Sequence, residues 1–385
     1  SGDDRKVNPS ETEAAREKME AIQEEFKVWI FKDEARRNAL VKLYNDTFNT
    51  HRVADFNGDH LTLPGSSTMI TLRPHQKKAI ARAILSPNNL LLGHEVGTGK
   101  TFVMAGIAME SRRLGIAKKP IIVTLKANTD GVIADFKRLY PGAKLLTFSE
   151  GDLGPQNRGE FMSRIATGDW DAVIVTHPAF GKLAMSRAAQ IDFYQKQVDE
   201  IAAAIEAVKV ESGTSAKRLV KEMEKVRSRL ETRMETLGDK LKKDETITFE
   251  ELGVDMLMVD EAQEFKNLYF PTQLARGVKG IGAGSETGRS FDMYMKTQYI
   301  SKLNNGRGVV FATGTPITNS MSEVFTLQRY LAYDQLVAEG LHHFDAWART
   351  YGKVVNSFEL KPSGQGYRVV QRFAKFQNIS ELMRR

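Results

Sequence analysis

One stretch of this sequence constrains the fold more than any other: a short apolar run, then a loop with two glycines that ends in Gly-Lys-Thr. Residues 90–101 read Leu-Leu-Leu-Gly-His-Glu-Val-Gly-Thr-Gly-Lys-Thr, and residues 102–109 continue with a helical pattern. A strand, a glycine-containing loop and a helix in this order are the context that a phosphate-binding loop requires. The sequence therefore predicts such a loop between a buried strand and a helix.

The residue types in the loop suit the binding of an anion. Gly97 and Gly99 let backbone amides turn toward a phosphate, and the following helix directs its positive end at the same place. We expect Lys100 to reach the β- and γ-phosphates of a nucleotide and the Thr101 hydroxyl to hold Mg²⁺. The strict pattern has glycine where this chain has His94, so a chance Gly-Lys-Thr is the alternative reading. The predicted phosphate-binding residues are Gly97, Thr98, Gly99, Lys100 and Thr101.

The composition excludes several classes of site but does not identify the function. The chain has 385 residues, enough for two or three domains, and a net charge of +7, which permits a polyanionic partner such as nucleic acid. The sequence has no cysteine, which excludes disulfides, thiolate zinc sites and cysteine nucleophiles, and its seven histidines show no metal-ligand spacing. It contains neither an apolar run of about 18 residues nor a signal-peptide pattern, so we expect a cytoplasmic protein without a membrane span.

Short apolar runs alternate with helical patterns through most of the chain. This alternation predicts an α/β fold with a parallel sheet covered by helices on both faces. Helices are predicted at 74–85 and 130–140. Strands are predicted at 120–124, 144–147, 170–176, 254–259 and 308–312.

Two helical regions depart from this alternation. Residues 10–49 form an N-terminal helical extension whose apolar stripe we interpret as a packing face; the stripe comprises Met19, Ile22, Phe26, Trp29 and Ile30. Residues 191–210 and 217–242 predict an inserted helical hairpin, on which mixed charges favour a solvated face over a nucleic-acid contact.

The remaining segments complete the domain organisation. The glycine-rich segment 277–288 lacks the dinucleotide fingerprint, and we expect helices and loops after residue 316. The predicted domains are the helical extension and linker 1–70, the first part of the sheet lobe 71–181, the inserted hairpin 182–245, and the second part 246–385.

A pair of carboxylates ends one predicted strand. Asp260 and Glu261 follow the apolar run 254–259, at the edge where a parallel sheet binds ligands. We expect Asp260 to hold Mg²⁺ and Glu261 to orient and deprotonate an attacking water. A surface acidic pair is the alternative for these two residues alone, but together with the phosphate loop they predict nucleotide hydrolysis.

Several of these segments, in this order, resemble the motifs of superfamily-two helicases, and in finer detail those of Swi/Snf-type DNA translocases. Leu-Arg-Pro-His-Gln at 72–76 is similar to the Leu-Arg-Pro-Tyr-Gln of that family. The family loop, Asp-Glu-Met-Gly-Leu-Gly-Lys-Thr, is similar to residues 94–101 and likewise lacks the first glycine. Asp-Glu-Ala-Gln at 260–263 and Thr-Gly-Thr-Pro-Ile-Thr-Asn at 313–319 match two further motifs. The resemblance runs from residue 72 to the C-terminus, apart from the insertion.

The resemblance implies a RecA-like lobe that uses ATP and Mg²⁺ and acts on DNA, with duplex DNA as the expected form. It implies that Gln76 recognises adenine and that Thr313, Gly314 and Thr315 couple the nucleotide site to DNA; a solvent-facing helix residue is the alternative for Gln76. It also implies a second RecA-like lobe, absent from this chain, whose arginine finger is worth about 10³ to 10⁵ in rate. We therefore expect this chain alone to hydrolyse ATP poorly.

Two further positions stand where the family contacts a DNA backbone, Thr176 and Lys126. A purely structural threonine is the alternative for Thr176. Lys126 belongs to Thr124-Leu125-Lys126, where the family usually has Val-Pro. More narrowly, the chain is similar to phage and conjugative-plasmid proteins in which such a motor accompanies a methyltransferase domain, although no methyltransferase motif occurs in this sequence.

Two other functions remain open. The chain could be a nucleic-acid-binding scaffold with an idle nucleotide site, or another phosphate-loop enzyme such as a kinase or a small-molecule ATPase. DNA binding that ignores Lys100→Ala favours the scaffold, and hydrolysis that ignores DNA favours the other enzyme.

Overall fold

The computed structural model describes residues 9–48, 56–148, 151–152, 154, 157–209, 214–239, 247–272, 274, 278–279, 281, 288–360 and 367–383. The chain divides into two compact units, Ser1–Asp55 and Phe56–Met383. No helix among these described residues is long and apolar enough to cross a membrane.

The smaller unit contains two helices, α1 (Pro9–Lys32) and α2 (Glu34–Phe48). The chain bends at Asp33, whose carboxylate accepts the backbone N–H of Arg36 at 2.7 Å in the first turn of α2. The Arg36 guanidinium lies 3.5 Å from the centre of the Trp29 ring. The predicted helical extension is therefore confirmed, with a break at Asp33.

The apolar stripe of this unit is largely exposed, and its interpretation as a packing face stays a prediction. Met19, Ile22 and Phe26 are 59%, 67% and 54% exposed, and Trp29 is 47% exposed. A unit of two helices has too little surface of its own to cover such a stripe.

The larger unit is built on a six-stranded parallel sheet with the strand order β1-β7-β5-β2-β4-β3. These strands are β1 (Leu90–Leu92), β2 (Pro120–Thr124), β3 (Leu145–Phe148), β4 (Ala172–Thr176), β5 (Met256–Asp260) and, after the short β6 (Val278–Lys279), β7 (Val309–Ala312). The predicted strands at 120–124, 144–147, 170–176, 254–259 and 308–312 all overlap strands of this sheet.

Helices cover both faces of the sheet. The helices of this unit are α3 (Pro74–Leu85), α4 (Lys100–Arg113), α5 (Thr129–Leu139), α6 (Arg158–Thr167), α7 (His177–Gly181), α8 (Arg187–Lys209), α9 (Thr214–Asp239), α10 (Gly288–Leu303), α11 (Ser322–Leu331), α12 (Tyr333–Ala338), α13 (Phe344–Tyr351) and α14 (Ile379–Met383). Alternate residues of a strand point to opposite faces, so Leu257 and Val259 enter one core cluster while Met258 enters the other. This explains the unbroken apolar runs, and it confirms the predicted α/β fold with a RecA-like parallel sheet covered on both faces.

The inserted helices α8 and α9 lie between β4 and β5 in the chain and pack against each other. Their shared core consists of Val198, Ile201, Ile205, Met223, Val226 and Leu230. Charged side chains on the outside pair within each helix, as Lys196 does with Asp192 and Arg227 with Glu231. The predicted helical hairpin is therefore confirmed.

A second, three-stranded sheet corrects the prediction of helices and loops after residue 316. Strands β8 (Gly352–Leu360) and β9 (Tyr367–Phe376) pair antiparallel, and β6 adds to β9 in parallel. Polar residues interrupt the apolar ones in these strands, so the period-two pattern is weaker than in the central sheet. Of the glycine-rich segment 277–288, β6, residue 281 and Gly288 are described, and the rest lies outside the described residues.

The predicted domain limits remain predictions, but one segment can be placed. Leu63 is 6% exposed and packs in the core cluster that also contains Ile80 and Met104. Residues 56–70, which we grouped with the N-terminal extension, therefore pack as part of the larger unit.

The start of β8 passes close to an aromatic ring of β9, which generates a prediction. A Cβ atom built on Gly352 would lie 1.7 Å from Cε2 of Phe373 and 2.8 Å from the carbonyl oxygen of Ala348. We expect Gly352→Ala to lower the free energy of unfolding by about 1–3 kcal/mol through overpacking. Urea denaturation measures this change. The control is Gly131→Ala in α5, where an added Cβ meets nothing within 4 Å; equal losses in both variants would contradict the packing described for β8.

Candidate nucleotide site

The predicted site segments meet at one edge of the central sheet. The phosphate loop follows β1, the acidic pair ends β5 and the Thr-Gly-Thr segment follows β7, which lies between the other two strands. Because all three strands are parallel, their carboxyl ends reach the same edge, where open α/β sheets bind ligands. The topology therefore brings together three segments that are far apart in the sequence.

The loop has the backbone shape that a phosphate cradle needs. Gly97 and Gly99 both have φ of +82°, in the left-handed region that favours glycine. Helix α4 begins at Lys100 without a side-chain cap, so its N-terminus can receive an anion. Nζ of Lys100 donates to the carbonyl oxygens of His94 at 3.1 Å and Glu95 at 3.3 Å. The lysine therefore lies folded over the loop.

Gln76 is buried against the same loop and is only 4% exposed. Its Oε1 accepts the backbone N–H of Arg73 at 2.8 Å, and its Nε2 donates to the carbonyl oxygen of Thr98 at 3.0 Å. A Cβ atom on Gly99 would lie 2.3 Å from this Nε2. The solvent-facing alternative for Gln76 was wrong, and adenine recognition by its amide remains a prediction.

Two histidines also contact the loop. Nε2 of His75 lies 3.1 Å from the carbonyl oxygen of Thr98, and the rings of His75 and His94 meet edge to face at 5.5 Å. Burial lowers the pKa of His94, and the nearby His75 and Lys100 add to this effect. His94 therefore stays neutral at neutral pH in the position that the strict loop pattern gives to glycine.

In the acidic pair, the Asp260 side chain is buried and the Glu261 backbone is strained. Asp260 is 7% exposed; burial raises its pKa, and the neighbouring negative charge of Glu261 raises it further. Glu261 has φ of +52°, a conformation that costs a non-glycine residue about 1–3 kcal/mol and is typical of functional sites. A cation beside Asp260 would offset the cost of its buried charge.

A chain of hydrogen bonds joins the acidic pair to the Thr-Gly-Thr segment. Nε2 of Gln263 donates to Oε2 of Glu261 at 2.7 Å, and Oε1 of Gln263 accepts from the Thr313 hydroxyl at 2.6 Å. Thr313 Oγ1 in turn accepts the backbone N–H of Thr315 at 3.0 Å. This bridge holds the Glu261 carboxylate in one orientation and connects the ends of β5 and β7.

The Thr-Gly-Thr segment also touches the phosphate loop. A Cβ atom on Gly314 would lie 3.0 Å from Cγ2 of Val96 and 3.6 Å from Nζ of Lys100. Further along, the buried Glu323 accepts the backbone N–H groups of Thr318 at 2.6 Å and Asn319 at 3.1 Å. The segment is therefore held at both ends, by the loop and by Glu323.

The two residues predicted to contact DNA lie at the end of β4 and just after β2. The hydroxyl of Thr176, which is buried, accepts the N–H of Ala179 at 3.3 Å as the cap of α7, which is the structural role considered for it. Lys126 is exposed in a short turn after β2. The contact of Thr176 and Lys126 with DNA remains a prediction.

Sequence reasoning missed two buried residues at this edge. Nε2 of His177 lies 2.9 Å from the carbonyl oxygen of Asp260, and its ring packs on Phe265 with centres 5.0 Å apart. The fully buried Thr124 ends β2 beside the Asp260 carboxyl. A polar residue at the end of a buried strand is the signal that could have found both.

The protein ligands for a metal ion are few. Within the described ranges, no group of three or more His, Cys, Asp or Glu side chains is placed to hold an ion. Mg²⁺ commonly binds through one or two protein oxygens and completes its octahedron with phosphate and water. Thr101 and Asp260 fit this sparse donor set.

Thr313 gives a direct test of the hydrogen-bonded bridge. Thr313→Val keeps the shape of the side chain but leaves Oε1 of Gln263 without its donor, so we expect a loss of about 1–3 kcal/mol in unfolding free energy. Thr313→Ser keeps the hydroxyl and should lose only about 1 kcal/mol, for one buried methyl group. Chemical denaturation measures both. Equal losses in the two variants would contradict the bridge.

His177 predicts a pH dependence of stability. Burial is the main cause of its lowered pKa, so the unfolded chain takes up a proton first as the pH falls through the ordinary value of about 6.5. Folding stability contributed by neutral His177 is therefore present above that pH and lost below it. His177→Gln retains a donor at the Nε2 position and does not titrate. Its unfolding free energy should approach or exceed that of the wild type on acidification, and parallel pH profiles would contradict this assignment.

Comparisons with known proteins show which proteins the chain is similar to. A family model described as a probable helicase domain matches residues 84–384, and a domain of unknown function matches residues 1–50. The Defense against restriction protein B of Escherichia phage P1 is 24% identical over 412 residues, covering 95% of this chain. The chain spans only 18% of the length of that relative.

Among solved structures, the chain is similar to the SWI2/SNF2 ATPase core of Sulfolobus solfataricus in complex with dsDNA. The TM-score is 0.41 and the sequence identity 12%, over 76% of this chain and 40% of that chain. The family model covers well over half of this sequence, including the phosphate loop, the acidic pair and the Thr-Gly-Thr segment. The chain therefore belongs to the probable helicase domain family.

Proposed function

We propose that this chain is the ATP-binding first motor lobe of a DNA-dependent, helicase-like ATPase. The observation that carries the proposal is the bridge from Glu261 through Gln263 to Thr313, at the same sheet edge as the phosphate loop. A carboxylate held in one orientation next to a phosphate cradle is suited to the activation of water for phosphoryl transfer. Family membership supports the same class of activity.

The loop residues bind and orient the nucleotide in this proposal. Nζ of Lys100 exchanges the carbonyl oxygens of His94 and Glu95 for oxygens of the β- and γ-phosphates. The amides from Gly97 to Thr101 and the positive end of α4 hold the remaining phosphate charge. Gln76, which contacts the carbonyl oxygen of Thr98 in the loop, recognises adenine in this proposal.

Thr101 and Asp260 hold Mg²⁺ in this proposal. The ion, when bound, neutralises charge on the β- and γ-phosphate oxygens. The pKa of Asp260 is raised by burial, and a bound cation favours the ionised carboxylate that coordination needs. Glu261 orients water and accepts its proton, a role worth about 10² to 10⁴ in rate for a general base.

DNA and a second lobe complete the motor in this proposal. Thr313, Gly314 and Thr315 carry a change at the nucleotide to the DNA-binding face, because they contact both Gln263 and the phosphate loop. Thr176 and Lys126 contact a DNA backbone at the neighbouring strand ends. The longer phage relative leaves room for a second lobe and further domains, such as the methyltransferase that the resemblance implies.

One observation favours the second candidate, a nucleic-acid-binding scaffold with an idle nucleotide site. Lys100 and Gln76 already have hydrogen-bond partners within the chain, so nucleotide must displace at least the lysine contacts. Nucleotide binding that is lost in Lys100→Ala would decide in favour of the motor lobe.

ATP turnover with and without duplex DNA tests the proposal. It should be measured on this chain and on a longer version that continues into the following residues. We expect DNA-stimulated turnover in the longer protein, and a loss of about 10² or more in Glu261→Gln, which lacks the general base. Lys100→Ala is the control for the phosphate loop. Turnover that ignores DNA would favour another phosphate-loop enzyme, and turnover that ignores both substitutions would contradict the site.

A further inference from the structure

We propose that the three-stranded sheet of β6, β8 and β9 is a binding surface for nucleic-acid phosphates, separate from the strand ends of the central sheet. We call the exposed face of this sheet that carries Lys353, Arg372 and Lys375 the basic face. The proposal rests on the proposed function only for the identity of the polyanion. The charge, strand register and packing of the sheet support the binding of a polyanion at this face.

The segment that contains β8 and β9 has an excess of positive charge. Residues 349–376 contain six lysine and arginine residues and one glutamate, a net charge of +5. The inserted helices and their connection, residues 187–239, contain ten lysine and arginine residues and ten carboxylates. A polyanion is therefore attracted to the second sheet and not to the helical hairpin, although the hairpin has more basic residues.

The strand register places the basic residues together. Lys353 of β8 is directly opposite Lys375 of β9, and Val355 is opposite Arg372. Lys353, Arg372 and Lys375 are all exposed, and Lys279 of β6 is the register partner of Arg372. Directly opposed residues have Cβ atoms about 5 Å apart, and opposed like charges destabilise a sheet. An anion between Lys353 and Lys375 would relieve this repulsion.

The opposite face of the sheet is anchored to the domain. Phe373 is 3% exposed and packs in a core cluster with Phe344 and Trp347. The register irregularity after Lys353 brings Phe373 opposite Val354 while Lys375 stays opposite Lys353. Arg349, at the end of α13, is also exposed, and its carbonyl oxygen accepts from Gln377 just after β9. The sheet therefore packs on the domain through Phe373 and leaves the basic face exposed.

An extended polyanion fits these cations better than a single phosphate. They are distributed along two neighbouring strands, with Lys353 opposite Lys375 and Arg372 opposite Val355. Contacts of this kind are made to phosphates and are independent of sequence. The basic face therefore suits the backbone of DNA or RNA.

The packing also connects the basic face to the candidate nucleotide site. Phe325 of α11 lies in the same core cluster as Phe373 and stacks edge to face with Phe344 at 5.3 Å. The same helix carries Glu323, which holds Thr318 and Asn319 at the end of the Thr-Gly-Thr segment. The core cluster thus connects β9 to α11, and α11 contacts the end of the Thr-Gly-Thr segment through Glu323.

The test compares two double variants for binding to a fluorescent duplex. Lys353→Gln with Lys375→Gln removes two charges from the basic face. Lys221→Gln with Lys225→Gln removes two charges from exposed positions one turn apart on α9. Dissociation constants are measured between about 50 and 200 mM salt, where each phosphate contact changes the logarithmic slope by about 0.9. Thermal unfolding and binding of a fluorescent ATP analogue monitor the fold and the nucleotide site.

We expect the basic-face variant to bind about tenfold more weakly at low salt, with a salt slope smaller by about 2. The α9 variant should match the wild type, and both variants should unfold and bind the ATP analogue as the wild type does. Unchanged DNA binding in the basic-face variant, or an equal loss in the α9 variant, would overturn the proposal. Binding to phosphatidylserine vesicles is measured as well. A basic-face variant that loses vesicle binding but keeps DNA binding would also overturn the proposal. Failure of the wild type to bind the ATP analogue would count against the proposed function. The comparison of DNA binding between the two variants could still be interpreted.

Discussion

The hydrogen bond between Gln263 and Thr313 is the interaction on which the candidate site depends. It joins the ends of two neighbouring strands, and through Gln263 it fixes the carboxylate of Glu261, whose backbone is held at a positive φ. Strain of about 1–3 kcal/mol persists only where the surroundings enforce it. Here the buried strand β5 and the hydrogen-bonded bridge to β7 hold Glu261 in its strained conformation. The acidic pair is therefore organised by the central sheet before any ligand arrives.

The sheet also explains why three segments that are distant in the sequence meet at one place. Parallel strands end at the same edge, and the order β1-β7-β5 puts the Thr-Gly-Thr segment between the phosphate loop and the acidic pair. Gly314 lies against Val96 and Lys100, and Thr313 contacts Gln263. A shift of the phosphate loop would therefore reach the acidic pair through a single segment. That segment continues to Glu323 and, through α11, to the second sheet.

Much of this arrangement could be predicted from the sequence, because buried parallel strands leave unbroken apolar runs. Residues 120–124 and 254–259 were predicted as strands for that reason, and the polar residues that end such runs marked the acidic pair. The second sheet escaped prediction because Gln371, Arg372 and Lys375 interrupt its apolar pattern, and only the register puts Lys353 opposite Lys375. The contact of His177 with the Asp260 carbonyl escaped for another reason: at the end of β4 only Thr176 was considered, and not the polar residue that follows it. The apolar stripe of α1 is the opposite case, since helical spacing suggested a packing face that the two-helix unit does not cover.

The most direct test of the central claim is the affinity of this chain for a non-hydrolysable ATP analogue, measured calorimetrically with and without Mg²⁺. The account predicts binding that is strengthened by Mg²⁺, weakened at least about tenfold by Lys100→Ala through loss of a charge-assisted contact, and insensitive to Mg²⁺ in Asp260→Asn. Binding that is indifferent to both Lys100 and Mg²⁺, or no binding at all, would contradict the assignment of this sheet edge as a nucleotide site.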